Sequence, residues 1–251
     1  MNILDEIVAN TKSKLEIKKS EIDIEELLSK IDNKWMEENN FKKSLLNKDE
    51  AIIAEIKKAS PSAGIISEDF DPVSKAKEYE SFGAAALSIL TEEDYFLGSI
   101  NYLLNVREVS DLPILRKDFI IDAYQIYESK LIGADCILLI AAILSDEQLQ
   151  NFTNIADQLG LDYIIEIHDK DELSRVEIFS KAIIGVNNRD LKTFEVDINN
   201  SILLRNEFKQ DNVFVSESGI KSRKDIDMLK ENNINVFLIG ESLMKGDFFA
   251  T

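Results

Sequence analysis

Three consecutive charged residues, Arg116, Lys117 and Asp118, follow an apolar stretch near the middle of the chain, in PILRKDFI. An apolar run that becomes charged without a Gly or Pro is typical of a buried strand that presents charged side chains at one end of a sheet. Side chains alternate along a strand, so Leu115, Lys117 and Phe119 share one face. Burial there lowers the pKa of the lysine unless an anion compensates. Two interpretations stay open, a structural ion pair with a carboxylate and a catalytic amine.

Other polar side chains end apolar runs in the same way. In AIIAEIKK, Glu55 and Lys57 share a face, and Glu166 ends the run DYIIEI. Asn187 and then Arg189 end the run in GVNNRDL. Carboxylates and amines can exchange protons, Asn hydrogen-bonds without a charge, and Arg suits a carboxylate or phosphate. The structural alternatives are an internal Glu55–Lys57 salt bridge and an exposed arginine in a turn.

Two glycines indicate an anion site. Gly240 directly follows an apolar run in LIGESLM, and Gly219 follows one after three polar residues in VSESGI. Glycine lets backbone N–H groups approach an anion, and a following helix N-terminus adds a favourable dipole. The pair predicts a phosphate site in the loops after the last two runs. Ser60 belongs to the turn SPS, which carries hydroxyl donors after the first run. The only histidine, His168, receives no role, because a lone histidine is more often a loop or core residue than a catalyst. No cluster has the ligand spacing of a metal site.

The elements that must position these residues recur from residue 51 onward. Eight apolar runs, starting at residues 51, 84, 113, 134, 162, 182, 212 and 235, are separated by helix-compatible segments. Such strands alternating with helices indicate a parallel sheet covered by helices. The class is α/β, and eight units predict a (β/α)8 TIM barrel with its active site at the carboxyl ends of the strands. An open doubly wound sheet is the alternative, weakened because no G-x-G-x-x-G follows the first run.

Composition limits the remaining possibilities. Of 251 residues, 45% are hydrophobic and 30% charged. Apolar residues at helical spacing predict that residues 1–48 form a helical N-terminal extension packed on the barrel, so that residues 1–251 make a single domain. The net charge of −18 argues against nucleic-acid binding, and no apolar run reaches the roughly 20 residues of a membrane span. The single Cys136 is expected in the core, and a reducing cytoplasm is the expected compartment.

Seven motifs together resemble the indole-3-glycerol phosphate synthase family of tryptophan biosynthesis. They are IAEIKKASPS, LSILTE, LRKDFI, IIEIH, GVNNRDL, VSESGI and LIGESLM, in family order over the whole chain. The resemblance implies a carboxy-lyase that needs no cofactor and acts on 1-(2-carboxyphenylamino)-1-deoxyribulose 5-phosphate. A carbon of the anthranilate ring attacks the ribulose carbonyl carbon, and loss of CO2 and water then gives indole-3-glycerol phosphate.

The resemblance also implies roles for single residues. Lys117 corresponds to the principal general acid, and the other catalytic positions implied are Glu55, Lys57, Glu166, Asn187 and Ser218. Substrate or phosphate contacts are implied for Ser60, Phe119, Arg189, Glu217, Gly219, Gly240 and Glu241. Glu241 departs from the small residue common at this position, so its carboxylate is expected to face outward and its backbone N–H to meet the phosphate. In the family, the N-terminal extension helps to cover the barrel mouth.

The expected partner is a small phosphorylated substrate, with no nucleic acid and no membrane, and the expected state is a monomer, with a weak dimer as the alternative. Two other functions stay open. Phosphoribosylanthranilate isomerase would be expected to use a Cys and Asp pair, which the mid-strand position of Cys136 disfavours. A noncatalytic protein that binds phosphoribosyl ligands is disfavoured because burying several charges without a reaction to use them is costly.

Overall fold

The computed structural model describes residues 3–31, 40–190 and 193–248. Its strands are β1 (Ala51–Ile56), β2 (Ala59–Ser60), β3 (Gly64–Ile65), β4 (Ala86–Leu90), β5 (Ile114–Lys117), β6 (Cys136–Ile140), β7 (Asp162–Ile167), β8 (Ile183–Asn187), β9 (Phe214–Glu217) and β10 (Val236–Ile239). Its α-helices are α1 (Ile3–Glu21), α2 (Ile24–Ser29), α3 (Phe41–Leu46), α4 (Pro72–Phe82), α5 (Ile100–Arg107), α6 (Ala123–Leu131), α7 (Asp146–Gln158), α8 (Lys170–Val176), α9 (Asn199–Glu207), α10 (Arg223–Glu231) and α11 (Glu241–Met244).

Eight parallel strands close into a barrel in the order β1-β10-β9-β8-β7-β6-β5-β4. Closure is visible at Ile53 of β1, which pairs with Ala86 of β4 on one side and with Leu238 of β10 on the other. Each of the eight apolar runs forms one of these strands, and helices follow them on the outside. The predicted (β/α)8 barrel is therefore confirmed, and the alternative of an open doubly wound sheet is wrong.

Alternation along the strands divides the apolar side chains between two cores. Ile53 and Leu115 point into the barrel and pack in its interior, whereas Ala54 and Ile56 belong to the larger layer between the strands and the helices. Cys136 lies in the interior core with no exposed surface, as expected. Since residues of odd parity on β1 and β5 fill the barrel, the same parity carries polar residues to its mouth.

Local sequence determines where the helices begin. Short polar side chains accept hydrogen bonds from backbone N–H groups in the first turn, which stabilises a helix start by about 1 kcal/mol. The residues that cap helices in this way are Asp23, Asp71, Ser99, Asp122, Ser145 and Asp169. These caps fix the directions in which the chain leaves the strand ends, and thereby the shape of the loops around the barrel mouth.

The loop after β1 contains a small hairpin that the sequence did not predict. β2 and β3 pair antiparallel, with Ala59 opposite Ile65 and Ser60 opposite Gly64. Gly64 has a φ of +65°, which glycine adopts without strain. The Ser60 hydroxyl accepts a hydrogen bond from the Ala63 N–H at 3.2 Å, so this serine is held at the mouth by the turn itself.

The N-terminal helices contact the barrel at two ends. Phe41 and Leu45 of α3 are fully buried and pack with the interior core near the start of β1. On α1, Ile3, Leu4 and Ile7 border the cavity at the opposite end. None of the helices in the described parts of the chain has the length and apolar character that a membrane span needs.

Candidate active site

A cavity of about 660 Å³ opens at the carboxyl ends of the barrel strands, a size typical of small-molecule sites. Five polar residues predicted from strand parity border this one cavity. They are Glu55, Lys57, Lys117, Glu166 and Asn187. They come from or directly follow β1, β5, β7 and β8. The strands thus bring together side chains that are as many as 132 positions apart, from residue 55 to residue 187.

The ammonium of Lys117 lies between two carboxylates at the centre of this cavity. Its Nζ is 3.0 Å from Glu166 Oε2 and also donates to Glu217 Oε2. Burial lowers the pKa of Lys117, but the negative charges of Glu166 and Glu217 outweigh burial and hold the pKa above its ordinary value. The sequence required an anion near this lysine to compensate for its burial, and the structure provides two carboxylates. The amine is therefore protonated, the form that can give a proton to a developing oxyanion.

Glu217, at the end of β9, is a buried carboxylate whose pKa is strongly raised. It is only 1% exposed. Burial raises its pKa, Lys117 lowers it, and repulsion from Glu166 raises it again, which leaves a pKa of about 7. Its Oε1 is buried and has no hydrogen-bond partner in the described part of the chain. Glu217 therefore changes charge near neutral pH, and its unpartnered Oε1 is buried against Gly185.

Glu166 behaves differently from Glu217 although both are buried. Burial raises the pKa of Glu166, but Lys117 and His168 lower it below its ordinary value. Asn187 Nδ2 donates to Glu166 Oε1 at 3.2 Å, and Asn187 Oδ1 accepts from the backbone N–H of Arg189 at 3.1 Å. These two bonds fix the orientation of the Asn187 amide. Glu166 is thus an ionised carboxylate held from several directions, suited to act as a base or as an electrostatic partner.

A second acid–base pair lies across the cavity. Lys57 Nζ donates to Glu55 Oε1, so the salt bridge considered from the sequence forms within the cavity wall. Glu55 is 4% exposed, and its carboxylate occupies the space beside Gly240. A Cβ atom at position 240 would overlap Glu55 Oε1. Gly240 is therefore needed for the placement of this carboxylate.

Aromatic side chains form an apolar wall. The rings of Phe96 and Phe119 are 6.0 Å apart at an interplanar angle of 40°, and both border the cavity. Glu92 shapes the loop that carries Phe96, because its carboxylate accepts hydrogen bonds from the N–H groups of Tyr95 and Phe96. A flat aromatic ligand can pack against such a wall.

Another part of the cavity is lined by backbone and small side chains. Ser60, Ser218, Gly219 and Gly240 all border it. Ser218 and Gly219 both have positive φ, +67° and +85°, and this conformation turns the chain sharply after β9. The first N–H groups of α11, directly after Gly240, have no partner within the helix. The arrangement offers hydrogen-bond donors to an anion.

Glu241 lies at the rim of this part, beside two cations. Its carboxylate bonds Lys245 Nζ at 2.6 Å and lies 4.0 Å from the guanidinium of Arg189. The hydrogen bond from Lys245 outweighs burial and lowers the pKa of Glu241. The side chain is 40% exposed, which agrees with the expected outward direction, yet it also borders the cavity. The neighbouring cations offset the repulsion that this carboxylate would exert on a phosphate.

Three residues that support the site were not identified from the sequence. Asn188 is 4% exposed and its Nδ2 donates to both the Ser216 hydroxyl and the Ser218 carbonyl, which fixes the turn after β9. Gly185 leaves room for Glu217, because a Cβ there would overlap Glu217 Oε1. A glycine inside an apolar strand signals close approach of another group, and could have revealed this role. His168 was set aside, but its ring lies behind Glu166.

No group of His, Cys, Asp and Glu side chains within the described ranges has an arrangement that could hold a metal ion. The chemistry that the cavity can perform with its own residues is proton transfer and charge stabilisation. It has an ammonium at the centre, carboxylates with differing pKa values and an amide donor. Such a set suits the addition of a nucleophile to a carbonyl group and the later loss of water.

Comparison with known proteins agrees with this geometry. The family model for indole-3-glycerol phosphate synthase matches residues 4–250. The indole-3-glycerol phosphate synthase of Acetivibrio thermocellus is 51% identical over 245 residues, covering 97% of this chain and 94% of the relative. That of Endomicrobium trichonymphae is 50% identical over 253 residues, covering 99% and 96%.

Solved structures with lower identity show the fold alone. Tryptophan synthase subunit alpha from Legionella pneumophila is 13% identical, with a TM-score of 0.60, and the match covers 82% of this chain and 87% of that one. Phosphoribosylanthranilate isomerase from Thermotoga maritima is 9% identical, with a TM-score of 0.54, covering 76% and 87%. Taken with the family match over nearly all of its length, the relatives that share half of its residues show that the chain belongs to the indole-3-glycerol phosphate synthase family.

Proposed function

We propose that this cavity converts 1-(2-carboxyphenylamino)-1-deoxyribulose 5-phosphate into indole-3-glycerol phosphate, CO2 and water. The observation that carries the proposal is the position of Lys117. Its ammonium lies between Glu166 and Glu217, in a cavity with an aromatic wall on one side and backbone donors on the other. This arrangement matches a substrate that has an aromatic ring at one end, a phosphate at the other and a carbonyl group between them.

The two ends of the cavity orient the substrate. The anthranilate ring packs against Phe119 and Phe96, and the phosphate lies near Ser60, Gly219 and Gly240. Binding at both ends brings the ring carbon close to the ribulose carbonyl carbon, and such positioning accelerates a reaction between two parts of one molecule. Arg189 borders the phosphate end and contributes positive charge there.

Lys117 acts in ring closure. As the ring carbon forms a bond to the carbonyl carbon, the electron pair of the C=O bond moves to oxygen, which takes a proton from the Lys117 ammonium. A developing alkoxide is a far stronger base than a carboxylate, so it can accept this proton although the pKa of Lys117 is raised. The bond to the carboxyl group then breaks, and its electron pair restores the ring while CO2 leaves.

Dehydration needs an acid for the departing hydroxyl group and a base for a proton of the new ring. Glu55, Lys57 and Glu166 supply these groups from opposite walls of the cavity. Asn187 holds the Glu166 carboxylate in place, and Ser218 borders the turn that meets the phosphate. Glu217 borders the cavity beside Lys117, where it can meet the substrate. Every group in this sequence belongs to the chain, so the proposed reaction uses no cofactor.

The isomerase alternative lacks its acid–base pair at the barrel mouth. Cys136 is fully buried in the barrel interior, and burial holds the pKa of its thiol well above the ordinary value. A thiol in this position is inert. No observation in the described structure favours the isomerase over the synthase.

We also propose that the whole chain forms one domain and works as a monomer in the cytoplasm. All of the cavity residues named above come from a single chain, and the N-terminal helix α1 borders the same cavity as the barrel strands. Light scattering on the purified protein would report its mass, and a mass of two chains at assay concentration would contradict the monomer.

Turnover of the purified protein tests the proposed reaction directly. Incubation with the carboxyphenylamino-deoxyribulose phosphate should produce indole fluorescence, with one CO2 released for each indole formed. Phosphoribosylanthranilate serves as the control substrate and should remain unchanged. Binding of the first compound without turnover would support the noncatalytic alternative, and conversion of the control would support the isomerase.

A further inference from the structure

A histidine lies behind Glu166, on the side away from Lys117. His168 follows Glu166 by two positions at the end of β7, so both side chains point to the same face. Its Nε2 is 3.4 Å from Glu166 Oε1, and its Nδ1 is 3.2 Å from Glu172 Oε2 on α8. The ring therefore bridges a carboxylate of the cavity and a second carboxylate outside it.

The backbone holds this ring in place from two directions. The N–H of His168 donates to Glu172 Oε2 at 2.7 Å, and its carbonyl accepts from Asn200 Nδ2 at 2.9 Å. Asp169 caps the start of α8 and thereby orients Glu172. The side chain of His168 is 15% exposed, so few other arrangements are open to it.

The charges around the ring favour its protonated form. Glu166 faces it from its own strand, Glu172 from α8 and Glu217 from β9. Burial lowers the pKa of His168, but these three carboxylates outweigh burial and raise it. A neutral imidazole donates from only one of its two nitrogens, whereas both nitrogens here face a carboxylate oxygen. Nδ1 is within hydrogen-bond distance of Glu172, whereas Nε2 lies at ion-pair distance from Glu166 without a hydrogen bond in the described structure, so the ring acts on Glu166 through the charge of the imidazolium.

We propose that His168, as an imidazolium bridging Glu172 and Glu166, is a positioning residue that keeps the Glu166 carboxylate ionised and aimed at Lys117. The proposal rests on the proposed function, because Glu166 matters only if the cavity performs proton transfer. His168 itself does not touch the substrate, since it lies behind Glu166 and does not border the cavity. Its effect on catalysis passes through the charge and the orientation of Glu166.

Because His168 is the only histidine of the chain, its titration can be followed directly by NMR in the full-length protein without a histidine tag. We expect a single imidazole resonance with a pKa above the ordinary value of about 6.5. Glu166→Gln and Glu172→Gln should each lower this pKa by about one pH unit, since each removes an adjacent opposite charge. Asp171→Asn, an exposed carboxylate on the same turn of α8, is the matched control and should change the pKa little.

Kinetics give the second measurement. His168→Gln keeps a hydrogen-bond donor but removes the charge, and should lower kcat by about tenfold, the change in rate that one unit of pKa corresponds to. KM should change less than twofold or so, because the substrate contacts are intact. The acidic limb of the kcat profile should move to higher pH, because Glu166 loses a stabilising cation and becomes harder to ionise.

Two results would overturn the proposal. One is a histidine pKa that stays the same in Glu166→Gln. The other is a His168→Gln variant with unchanged kcat and unchanged pH profile. If the wild-type protein did not turn over the substrate at all, the proposed function would fail, while the NMR titration would still report whether the two charges are coupled. The two failures are thus distinguishable.

Discussion

At the scale of single residues, the cavity contains more buried negative charge than positive charge. Lys117 lies between Glu166 and Glu217, and Lys57 forms an ion pair with Glu55. Three carboxylates and two ammonium groups cannot all be neutralised in pairs, so one carboxylate must resist ionisation. Glu217, with a pKa of about 7, is that carboxylate. The imbalance is useful for catalysis, because it leaves one carboxylic acid with a pKa near neutral pH.

A pH-dependent stability should follow from Glu217. Its folded pKa of about 7 lies above the ordinary value of 4.5, so its favourable contribution is complete below pH 4.5 and is lost as pH rises through 7. Glu217→Gln removes this dependence. Between about pH 5 and pH 8, the free energy of unfolding of the variant should rise relative to wild type by about 2 to 3 kcal/mol. Guanidinium denaturation at both pH values measures the difference.

Glu231→Gln provides the control for this experiment, because Glu231 is an exposed glutamate at the end of α10. The free energy of unfolding of Glu231→Gln should depend on pH in the same way as that of the wild-type protein. If Glu217→Gln also follows the wild-type curve, Glu217 titrates at an ordinary pKa and the proposed charge imbalance is wrong.

Substitution of Gly240 tests how closely the phosphate end and the acid–base pair are linked. The sequence predicted a phosphate contact here, so a side chain at this position should raise KM. The overlap of a Cβ atom with Glu55 Oε1 means that Gly240→Ala should also lower kcat, because the carboxylate must move. We expect a decrease in kcat of at least about tenfold, and a higher KM, in steady-state assays.

The control is Gly83→Ala, at the C-cap of α4. Gly83 has a φ of +92°, so alanine is strained there, by about 1 kcal/mol, but within the described ranges the added Cβ would meet only the end of the Lys48 side chain, at 4.0 Å. This variant should lose stability and keep both kinetic constants. A Gly240→Ala variant that changes KM alone would show that Glu55 relaxes without a cost to catalysis.

Strand parity predicted which side chains would enter the cavity, but it did not predict their ionisation. Glu55, Lys117 and Glu166 were placed correctly at the mouth because alternation is a local property of each strand. The pKa values of Glu217 and Lys117 depend on charges from four strands, whose distances only the closed barrel defines. His168 was set aside for the same reason, since its importance comes from two partners that the sequence alone does not place.

At the scale of elements, the long apolar strands were predictable and the short hairpin was not. Each barrel strand has four to six residues and begins within an apolar run, a pattern that indicates a buried parallel strand. β2 and β3 have two residues each, too few for any periodicity. They form because Gly64 permits the turn and Ser60 stabilises it, and the hairpin then forms part of the phosphate end.

The helix α1 is connected to the barrel by ion pairs as well as by apolar contacts. Lys14 lies 2.6 Å from Asp94, in the loop that carries Phe96. Lys18 pairs with Glu128 at 2.9 Å, on α6. Since Ile7 of the same helix borders the cavity, these pairs help to hold one wall of the site. Partly exposed pairs of this kind are individually weak, up to about 1 kcal/mol.

Removing the two lysines together should loosen this wall. We expect Lys14→Ala with Lys18→Ala to raise KM by about two- to fivefold at low salt, while kcat changes less, because the polar groups of the barrel are untouched. The effect should shrink in about 0.5 M NaCl, which already screens the pairs in the wild-type protein. Lys12→Ala, an exposed lysine of the same helix, is the control. An unchanged KM at low salt would mean that apolar contacts alone hold α1.

At the scale of the whole molecule, an acidic protein binds an anionic substrate. The net charge of −18 repels a phosphate at long range. The sequence therefore required local donors or cations at the site. Arg189, Lys221 and Lys245 border the same cavity as Gly219 and Gly240, where we propose that the phosphate binds. The site overcomes the overall field through groups that act only at short range.

Barrel closure explains why the order of motifs along the chain was informative. Parallel strands that close into a barrel bring all of their carboxyl ends to one side, so motifs at seven of the eight strand ends converge whatever their spacing. The sequence predicted this convergence from eight apolar runs. It could not predict which carboxylates would share Lys117, because that depends on the tilt and register of strands that are distant in sequence.

Turnover by Lys117 variants tests the central claim, that this residue is the general acid of ring closure. Lys117→Ala should lower kcat by about 10² to 10⁴, the usual loss for one positioned acid, with a smaller change in KM. Lys117→Arg keeps the charge but is a far poorer proton donor, so it should not restore full activity. Circular dichroism first confirms that both variants fold. A Lys117→Ala variant that retains most of its kcat would contradict the account, and an Arg variant of nearly normal activity would reduce Lys117 to a purely electrostatic role.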